Sequence, residues 1–124
     1  MELTAEQVDR AIGVLLGSAC GDALGAGYEF GVATPGPDGP RMIGGGLGGF
    51  APGEWTDDTS MAVAIAEVAA TGADLRGPEA LDAIARGFRR WYDGGPADIG
   101  IQTSQVLEAG GPTPSGASLA AAAR

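Results

Sequence analysis

The stretch that decides the fold, residues 55–70, reads WTDDTSMAVAIAEVAA. Two adjacent carboxylates, Asp57 and Asp58, lie between two threonines where a Gly/Pro-rich loop gives way to an apolar run. The run from Asp58 to Ala70 is apolar nearly all round, which predicts a helix that is buried on most sides. Carboxylates at the start of such a helix serve either as helix caps or as ligands of a hard metal ion.

The segment alone is explained by capping, because Thr and Asp are favoured at the N-cap and in the first turn of a helix. Metal binding gains from the geometry of a helix start. Asp57 still lies outside the helical twist there, so both carboxylates and a threonine oxygen can converge, whereas consecutive residues inside a helix diverge. A buried helix behind them would hold such a site rigidly. The rest of the sequence favours the metal.

Composition narrows the chemistry further. The chain has 124 residues, the length of one small domain, and contains neither His nor Lys and a single cysteine, Cys20. These absences remove Ser-His-Asp triads, His-ligated zinc, a lysine-dependent P-loop and any internal disulfide. A metal ion must therefore be bound by oxygen, which favours Mg²⁺, Mn²⁺ or Ca²⁺. The net charge of -9 argues against nucleic acid and anionic membranes as partners.

The apolar run from Ala11 to Cys20 resembles a signal peptide in hydropathy but not in its flank. The flank carries Glu2, Glu6 and Asp9, where a secretory signal is basic. Asp22 and several glycines interrupt the run before the length that a membrane-spanning helix needs. The sequence therefore predicts a soluble, cytoplasmic chain.

Helical periodicity dominates the first part of the chain. Thr4 with Gln7 resembles a capping box, which predicts a helix that runs to about Cys20 and on to Leu24. Its glycines fall at every fourth position and predict that another backbone approaches closely: Gly13, Gly17 and Gly21. Residues 31–53 hold nine Gly and four Pro and predict a long functional loop that is mobile without ligand.

Three more helices are expected downstream of the 58–70 helix. One begins at Pro78 and stops before Gly94, one is N-capped by Asp98 and ends at Gly110, and one covers Ala117 to Arg124. No strand pattern is convincing. The predicted class is therefore all-α.

Two further acidic residues lie at the end of the first helix. Asp22 is expected to be structural and to accept a hydrogen bond from a backbone N–H near the glycines. Glu29 lies between Tyr28 and Phe30, and burial among such apolar neighbours would raise its pKa. A solvated Glu at the start of a loop is the equal alternative.

Four elements of the chain resemble, in order and spacing, the N-terminal half of the ADP-ribosylglycohydrolase family. The elements are Arg10-Ala11-Ile12-Gly13 through Gly21-Asp22-Ala23-Leu24-Gly25, then Tyr28-Glu29-Phe30, then Gly53-Glu54-Trp55-Thr56-Asp57-Asp58-Thr59, and then Asp98-Ile99-Gly100. The resemblance covers nearly the whole chain from about Glu6. The Gly-Asp-Ala-Leu-Gly and Trp-Thr-Asp-Asp-Thr elements together make it specific.

This resemblance implies an all-α orthogonal helix bundle, incomplete here, with a binuclear Mg²⁺ or Mn²⁺ centre. Residues 1–124 would form the N-terminal portion of one such domain, which hydrolyses the glycosidic bond between ADP-ribose and an acceptor on a protein or small molecule. The roles implied by the family are metal ligation by Thr56, Asp57 and Asp58, orientation of water by Asp57 or Asp58, proton donation or gating by Glu29, and contact with ADP-ribose by Asp98 and Gly100.

The sequence departs from the family pattern in two ways. Ile101 stands where the family usually has Asn, which removes one polar substrate contact. Family members are more than twice this length, and their second half supplies further acidic metal ligands that have no counterpart after Asp98. These departures predict that the chain alone is inactive and that it self-associates or pairs with the missing second half. The alternative is a non-catalytic remnant or an ADP-ribose-binding module.

Overall fold

The computed structural model describes residues 3–124, and in this range the chain is helical without a strand. The all-α prediction is confirmed. The five α-helices are α1 (Ala5–Gly25), α2 (Asp57–Ala69), α3 (Pro78–Asp93), α4 (Ile101–Ala109) and α5 (Gly116–Ala122). A short 3₁₀ turn, Glu29–Gly31, follows α1. Two compact units, Met1–Thr59 and Ser60–Arg124, divide the chain.

Helix α1 begins with the predicted capping box. The Thr4 N–H donates to Gln7 Oε1 at 2.8 Å, and the Gln7 N–H donates to Thr4 Oγ1 at 3.2 Å. These two bonds satisfy backbone donors that a helix start leaves without partners. The helix extends to Gly25, one residue beyond the predicted limit of Leu24.

The glycine face of α1 is not packed against another backbone as predicted. A Cβ added at Gly13, Gly17 or Gly21 would meet no atom within 4 Å, so no backbone approaches this face in the described chain. Large apolar side chains of α1 are also exposed, among them Val14 at 69% and Leu16 at 61%. The segment Ala5–Gly31 is, by length and composition, apolar enough to cross a membrane, with 17% of its apolar window buried. The prediction that its apolar run falls short of a spanning length is therefore wrong.

The close backbone approach predicted for α1 occurs just beyond its end. Residues 44–50 form a tight hairpin in which the N–H groups of Gly45 and Phe50 each donate to the other residue's carbonyl, at 2.7 and 2.9 Å. A Cβ on Gly27 would lie 2.4 Å from the Gly44 carbonyl oxygen, and one on Gly46 would lie 2.4 Å from the Ala26 oxygen. Glycine is required at both positions because no side chain fits between the two backbones.

Helices α2 and α3 approach each other at small residues. A Cβ on the buried Gly87 of α3 would lie 3.0 Å from Ala64 Cβ of α2, and Ala64 itself is 7% exposed. Val63 and Ile65 of α2 are nevertheless exposed, at 40% and 39%. The prediction that α2 is buried on most sides is therefore wrong for the described chain, which covers one side of this helix.

Helix α3 begins as predicted, with Pro78 in its first turn, and packs against α4 and α5. The N-cap of α4 is Gly100 rather than Asp98, so the prediction that Asp98 caps this helix is wrong. Helix α5 has its own capping box between Ser115 and Ser118. The N–H of Gly116 at its start donates to Asp82 of α3 at 2.8 Å, which fastens the two helices together.

Candidate active site

The start of α2 is held by one carboxylate from α1. Asp22 Oδ2 accepts hydrogen bonds from the Thr56 N–H at 3.0 Å, the Thr59 N–H at 3.1 Å and the Thr59 hydroxyl at 2.5 Å. Asp22 Oδ1 accepts from the Thr56 hydroxyl at 2.8 Å. A side chain 34 residues earlier in sequence therefore accepts N–H groups at the start of α2, in the way that an N-cap residue does.

The environment of Asp22 favours its ionised form. Partial burial of the carboxyl raises its pKa, but the hydrogen bonds from Thr59 and Thr56 together outweigh burial, and the net pKa lies below the ordinary value of 3.8. Both threonines are buried, at 3% and 5% exposure, so the bonds are shielded from water. The prediction that Asp22 is structural and accepts a backbone N–H is confirmed, but the donors are Thr56, directly before α2, and Thr59 in its first turn, rather than groups near the glycines of α1.

The two predicted acidic ligands lie in the first turn of α2, which begins at Asp57, so the prediction that Asp57 lies outside the helical twist is wrong. Asp57 is half-buried and Asp58 is exposed. With Thr56 they place two carboxylates and one hydroxyl on three consecutive residues, all of them hard oxygen donors of the kind that suit Mg²⁺ or Mn²⁺. Between residues 3 and 124 no cluster of three or more Asp, Glu, His or Cys side chains is arranged to hold a metal ion. The donor set therefore fits a hard cation chemically but supplies only part of its coordination shell.

Glu29 begins the 3₁₀ turn after α1 and is half-buried. The following residue, Phe30, has φ 54° and ψ 18°, a left-handed conformation that is uncommon for a residue with a side chain, and it is 80% exposed. The N–H of Val32 donates to the Glu29 carbonyl at 3.2 Å and closes the turn. The backbone at Glu29 is thus fixed by a tight turn that no sequence pattern predicted.

The two predicted substrate contacts lie together in the other unit. Asp98 is half-buried, and its Oδ1 accepts a hydrogen bond from the N–H of Ile99 at 2.8 Å. Gly100 is exposed and begins α4 as its N-cap residue. The structure therefore places Thr56 directly before α2 and both Asp57 and Asp58 in its first turn, and it places Asp98 two residues before Gly100.

Sequence reasoning missed one residue that holds Asp22 at the start of α2. Thr59, at 5% exposure, donates both its N–H and its hydroxyl to Asp22. The available signal was the spacing Thr56-x-x-Thr59 around two aspartates, which places both threonines on one side of the first helical turn. No pattern of neighbouring residues indicated that Asp22 is the partner of these threonines.

The sequence is similar to that of known proteins over most of its length. A sequence model of the family described as ADP-ribosylglycohydrolase matches residues 3–123. The chain belongs to the ADP-ribosylglycohydrolase family. Among the curated proteins to which the chain is similar are two ADP-ribosylarginine hydrolases Tri1, from Pseudomonas putida and Serratia proteamaculans. A third is the ADP-ribosyl-(dinitrogen reductase) glycohydrolase of Rhodospirillum rubrum.

The likeness to these ADP-ribosylglycohydrolases extends over most of the chain but over a minor part of each relative. The Pseudomonas protein is 40% identical over 86% of this chain and 29% of its own length. The Serratia protein is 37% identical over 84% of this chain and 29% of its own length. The Rhodospirillum protein is 39% identical over 74% of this chain and 31% of its own length. The chain thus spans about 30% of the length of the curated relatives that it matches.

Proposed function

We propose that this chain serves in the metal-assisted hydrolysis of the bond between ADP-ribose and an acceptor on a protein or small molecule. The observation that carries the proposal is the cluster at the start of α2, where Asp22 fixes Thr56 beside Asp57 and Asp58. Family membership supports it, and two relatives named as ADP-ribosylarginine hydrolases make arginine the first acceptor to test. The acidic flank of α1 supports a cytoplasmic location.

The residues take separate roles in this proposal. Thr56, Asp57 and Asp58 would hold Mg²⁺ or Mn²⁺, which when bound supplies positive charge that orients a water and the ribose hydroxyls. The carboxylates of Asp57 and Asp58 accept hydrogen bonds from that water and thereby direct its attack. Glu29 is the candidate proton donor to the leaving group, because glycosidic hydrolysis pairs an acid with a group that activates water.

The first test measures the affinity of the 124-residue chain for Mn²⁺. We expect Mn²⁺ to bind in a calorimetric titration, and Asp57→Asn or Asp58→Asn to weaken it more than about tenfold, because even outer-shell partners contribute about 10–100-fold to metal affinity. Glu67→Gln, on the exposed surface of α2, is the control and should leave Mn²⁺ binding unchanged. No Mn²⁺ binding by the wild-type chain would refute the proposal.

A second function is favoured by the sparse donor set. Since residues 3–124 lack a complete acidic cluster for a metal ion, the chain can act as an ADP-ribose-binding module without turnover. Hydrolysis of ADP-ribosyl-arginine with Mn²⁺ present separates the two functions. A rate of about 1 per second or faster would establish an ordinary enzyme, whereas saturable ADP-ribose binding without product would establish the module.

A further inference from the structure

The hydrogen bonds of Asp22 do more than fasten two segments, because they also set the direction of two hydroxyl protons. An ionised carboxylate can only accept hydrogen bonds. Each threonine hydroxyl has one proton to donate, and in both Thr56 and Thr59 that proton points at Asp22. Towards any other partner the Thr56 oxygen is therefore an acceptor, which is the role that a metal ligand must play.

We propose that Asp22 is a positioning residue for the cation site, which fixes the Thr56 hydroxyl as an acceptor and thereby raises the affinity of the site for a divalent cation. The inference rests on the proposed function, since it concerns the same site. Asp22 itself is a partner of a ligand rather than a ligand. Partners of this kind orient the donor atoms and contribute about 10–100-fold to metal affinity.

The two oxygens of Asp22 are not equivalent, and this difference allows a sharp test. Oδ2 accepts three of the four bonds, two of them from the backbone N–H groups of Thr56 and Thr59, which cannot rotate. Oδ1 accepts only from the Thr56 hydroxyl. In Asp22→Asn the single carbonyl oxygen keeps most bonds by occupying the Oδ2 position, and the NH₂ group then faces Thr56.

This arrangement reverses the Thr56 hydroxyl. It must accept from the asparagine NH₂, and its own proton must point to another partner. A hydroxyl proton directed at a cation repels it, so Asp22→Asn should weaken cation binding while keeping three of the four bonds that hold the fold. Thr59→Val is the matched control, because it removes a hydroxyl bond to Asp22 without changing the direction of the Thr56 proton.

The first measurement needs no metal. In ¹H NMR spectra of the wild-type chain, the hydroxyl protons of Thr56 and Thr59 should both be protected from exchange by their bonds to Asp22. In Asp22→Asn the Thr59 hydroxyl should stay protected and the Thr56 hydroxyl should exchange fast. A Thr56 hydroxyl that stays protected in Asp22→Asn would overturn the inference.

The second measurement is Mn²⁺ affinity by calorimetry on variants whose helical circular dichroism matches the wild type. We expect Asp22→Asn to lower the affinity for Mn²⁺ by about 10–100-fold. Thr59→Val should lower this affinity by less than about threefold, because Thr59 does not set the direction of the Thr56 proton. Thr56→Ser, which keeps the hydroxyl, should retain more affinity than the isosteric Thr56→Val. The double variant Asp22→Asn/Thr56→Val should bind no more weakly than Thr56→Val alone, because Asp22 acts through the hydroxyl that is missing.

Each outcome decides between the two claims. Tight Mn²⁺ binding that Asp22→Asn leaves unchanged would overturn this inference and leave the proposed function standing. Additive losses in the double variant would also overturn it, since they would show that Asp22 acts independently of Thr56. No Mn²⁺ binding by the wild-type chain would overturn the proposed function and this inference with it.

Discussion

At the scale of single residues, Asp22 holds Thr56 and Thr59 in place at the start of α2. Asp22, a residue of another helix, accepts the N–H groups of Thr56 and Thr59 at the start of α2, an arrangement that neither the capping nor the metal-binding interpretation of the sequence included. The carboxylate accepts two backbone and two hydroxyl bonds, all from buried threonines. Loss of one partner would leave buried donors unsatisfied, which costs about 1–3 kcal/mol per group.

The pH dependence of stability follows from the same residue. The pKa of Asp22 is lower in the folded chain than its ordinary value of 3.8. A lowered pKa contributes stability that is present above 3.8 and is lost as the pH falls through the folded value. We expect the thermal midpoint of unfolding to fall as the pH drops below about 4, and this fall to be smaller in Asp22→Asn. Calorimetric scans from neutral pH downward measure it.

The control for this prediction is Asp74→Asn. The pKa of Asp74 is also lowered, by hydrogen bonds from Arg76, but both side chains are exposed and their attraction is screened by solvent. Asp74→Asn should therefore leave the acid slope of stability close to that of the wild type. Equal slopes in Asp22→Asn and the wild type would contradict the role given to the Asp22 bonds.

At the scale of elements, the glycine-rich segment is two structures rather than one. Residues 44–50 form the hydrogen-bonded hairpin packed against the end of α1, and Phe50 is 7% exposed. Residues 34–38 are exposed loop. In hydrogen exchange without ligand, we expect the amides of Gly45 and Phe50 to be protected and those of Thr34, Gly36 and Asp38 to exchange fast. Fast exchange at Gly45 and Phe50 would contradict the hairpin, and mobility is expected only of the preceding loop.

Glycine substitutions test the packing of this hairpin. Gly27→Ala places a Cβ 2.4 Å from the Gly44 oxygen and 2.5 Å from Ile43 Cγ1, so it should destabilise the chain by about 1–3 kcal/mol as overpacking does. Gly17→Ala is the control inside α1, where a Cβ meets nothing within 4 Å. Because Ala is favoured over Gly in a helix by about 1 kcal/mol, Gly17→Ala should stabilise the chain. Urea denaturation measures both, and equal effects would refute the assignment of the close approach.

The limits of prediction from this sequence are physical. Local rules located α1 through its capping box and α3 through Pro78, because caps and turns depend on neighbouring residues. They could not identify the partners of Asp22, which lie 34 and 37 residues away, or the neighbour of Gly27, which is the Gly44 carbonyl. Asp98 was misassigned because its side chain accepts the N–H of Ile99 instead of capping α4. The metal ligands stay a prediction that the sequence pattern and the position of α2 support.

At the scale of the whole molecule, apolar side chains are distributed unevenly between surface and interior. Leu107 on α4 is 1% exposed, and the carbonyl of this residue accepts a hydrogen bond from Arg89 of α3 at 3.3 Å. Ile12 and Leu16, one turn apart on the same side of α1, are exposed at 51% and 61%. Contiguous exposed apolar surface promotes association, since burying it against a second surface is favourable by about 25 cal/mol per Å².

We therefore predict that the 124-residue chain self-associates through α1 in a concentration-dependent way. Leu16→Ser should weaken association, because it removes apolar surface that is exposed at 61%, and should leave the stability of the fold nearly unchanged. Leu107→Ala is the contrasting variant: it should lower the unfolding free energy by about 2–5 kcal/mol, as core truncation does, without weakening association of the folded chain. Sedimentation velocity across a hundredfold range of concentration, about 1 to 100 μM as is typical of weak association, measures the first effect, and urea denaturation measures the second. A wild-type chain that stays monomeric at every concentration, or a Leu16→Ser variant that associates as strongly as the wild type, would show that α1 is not the surface through which copies of this chain meet.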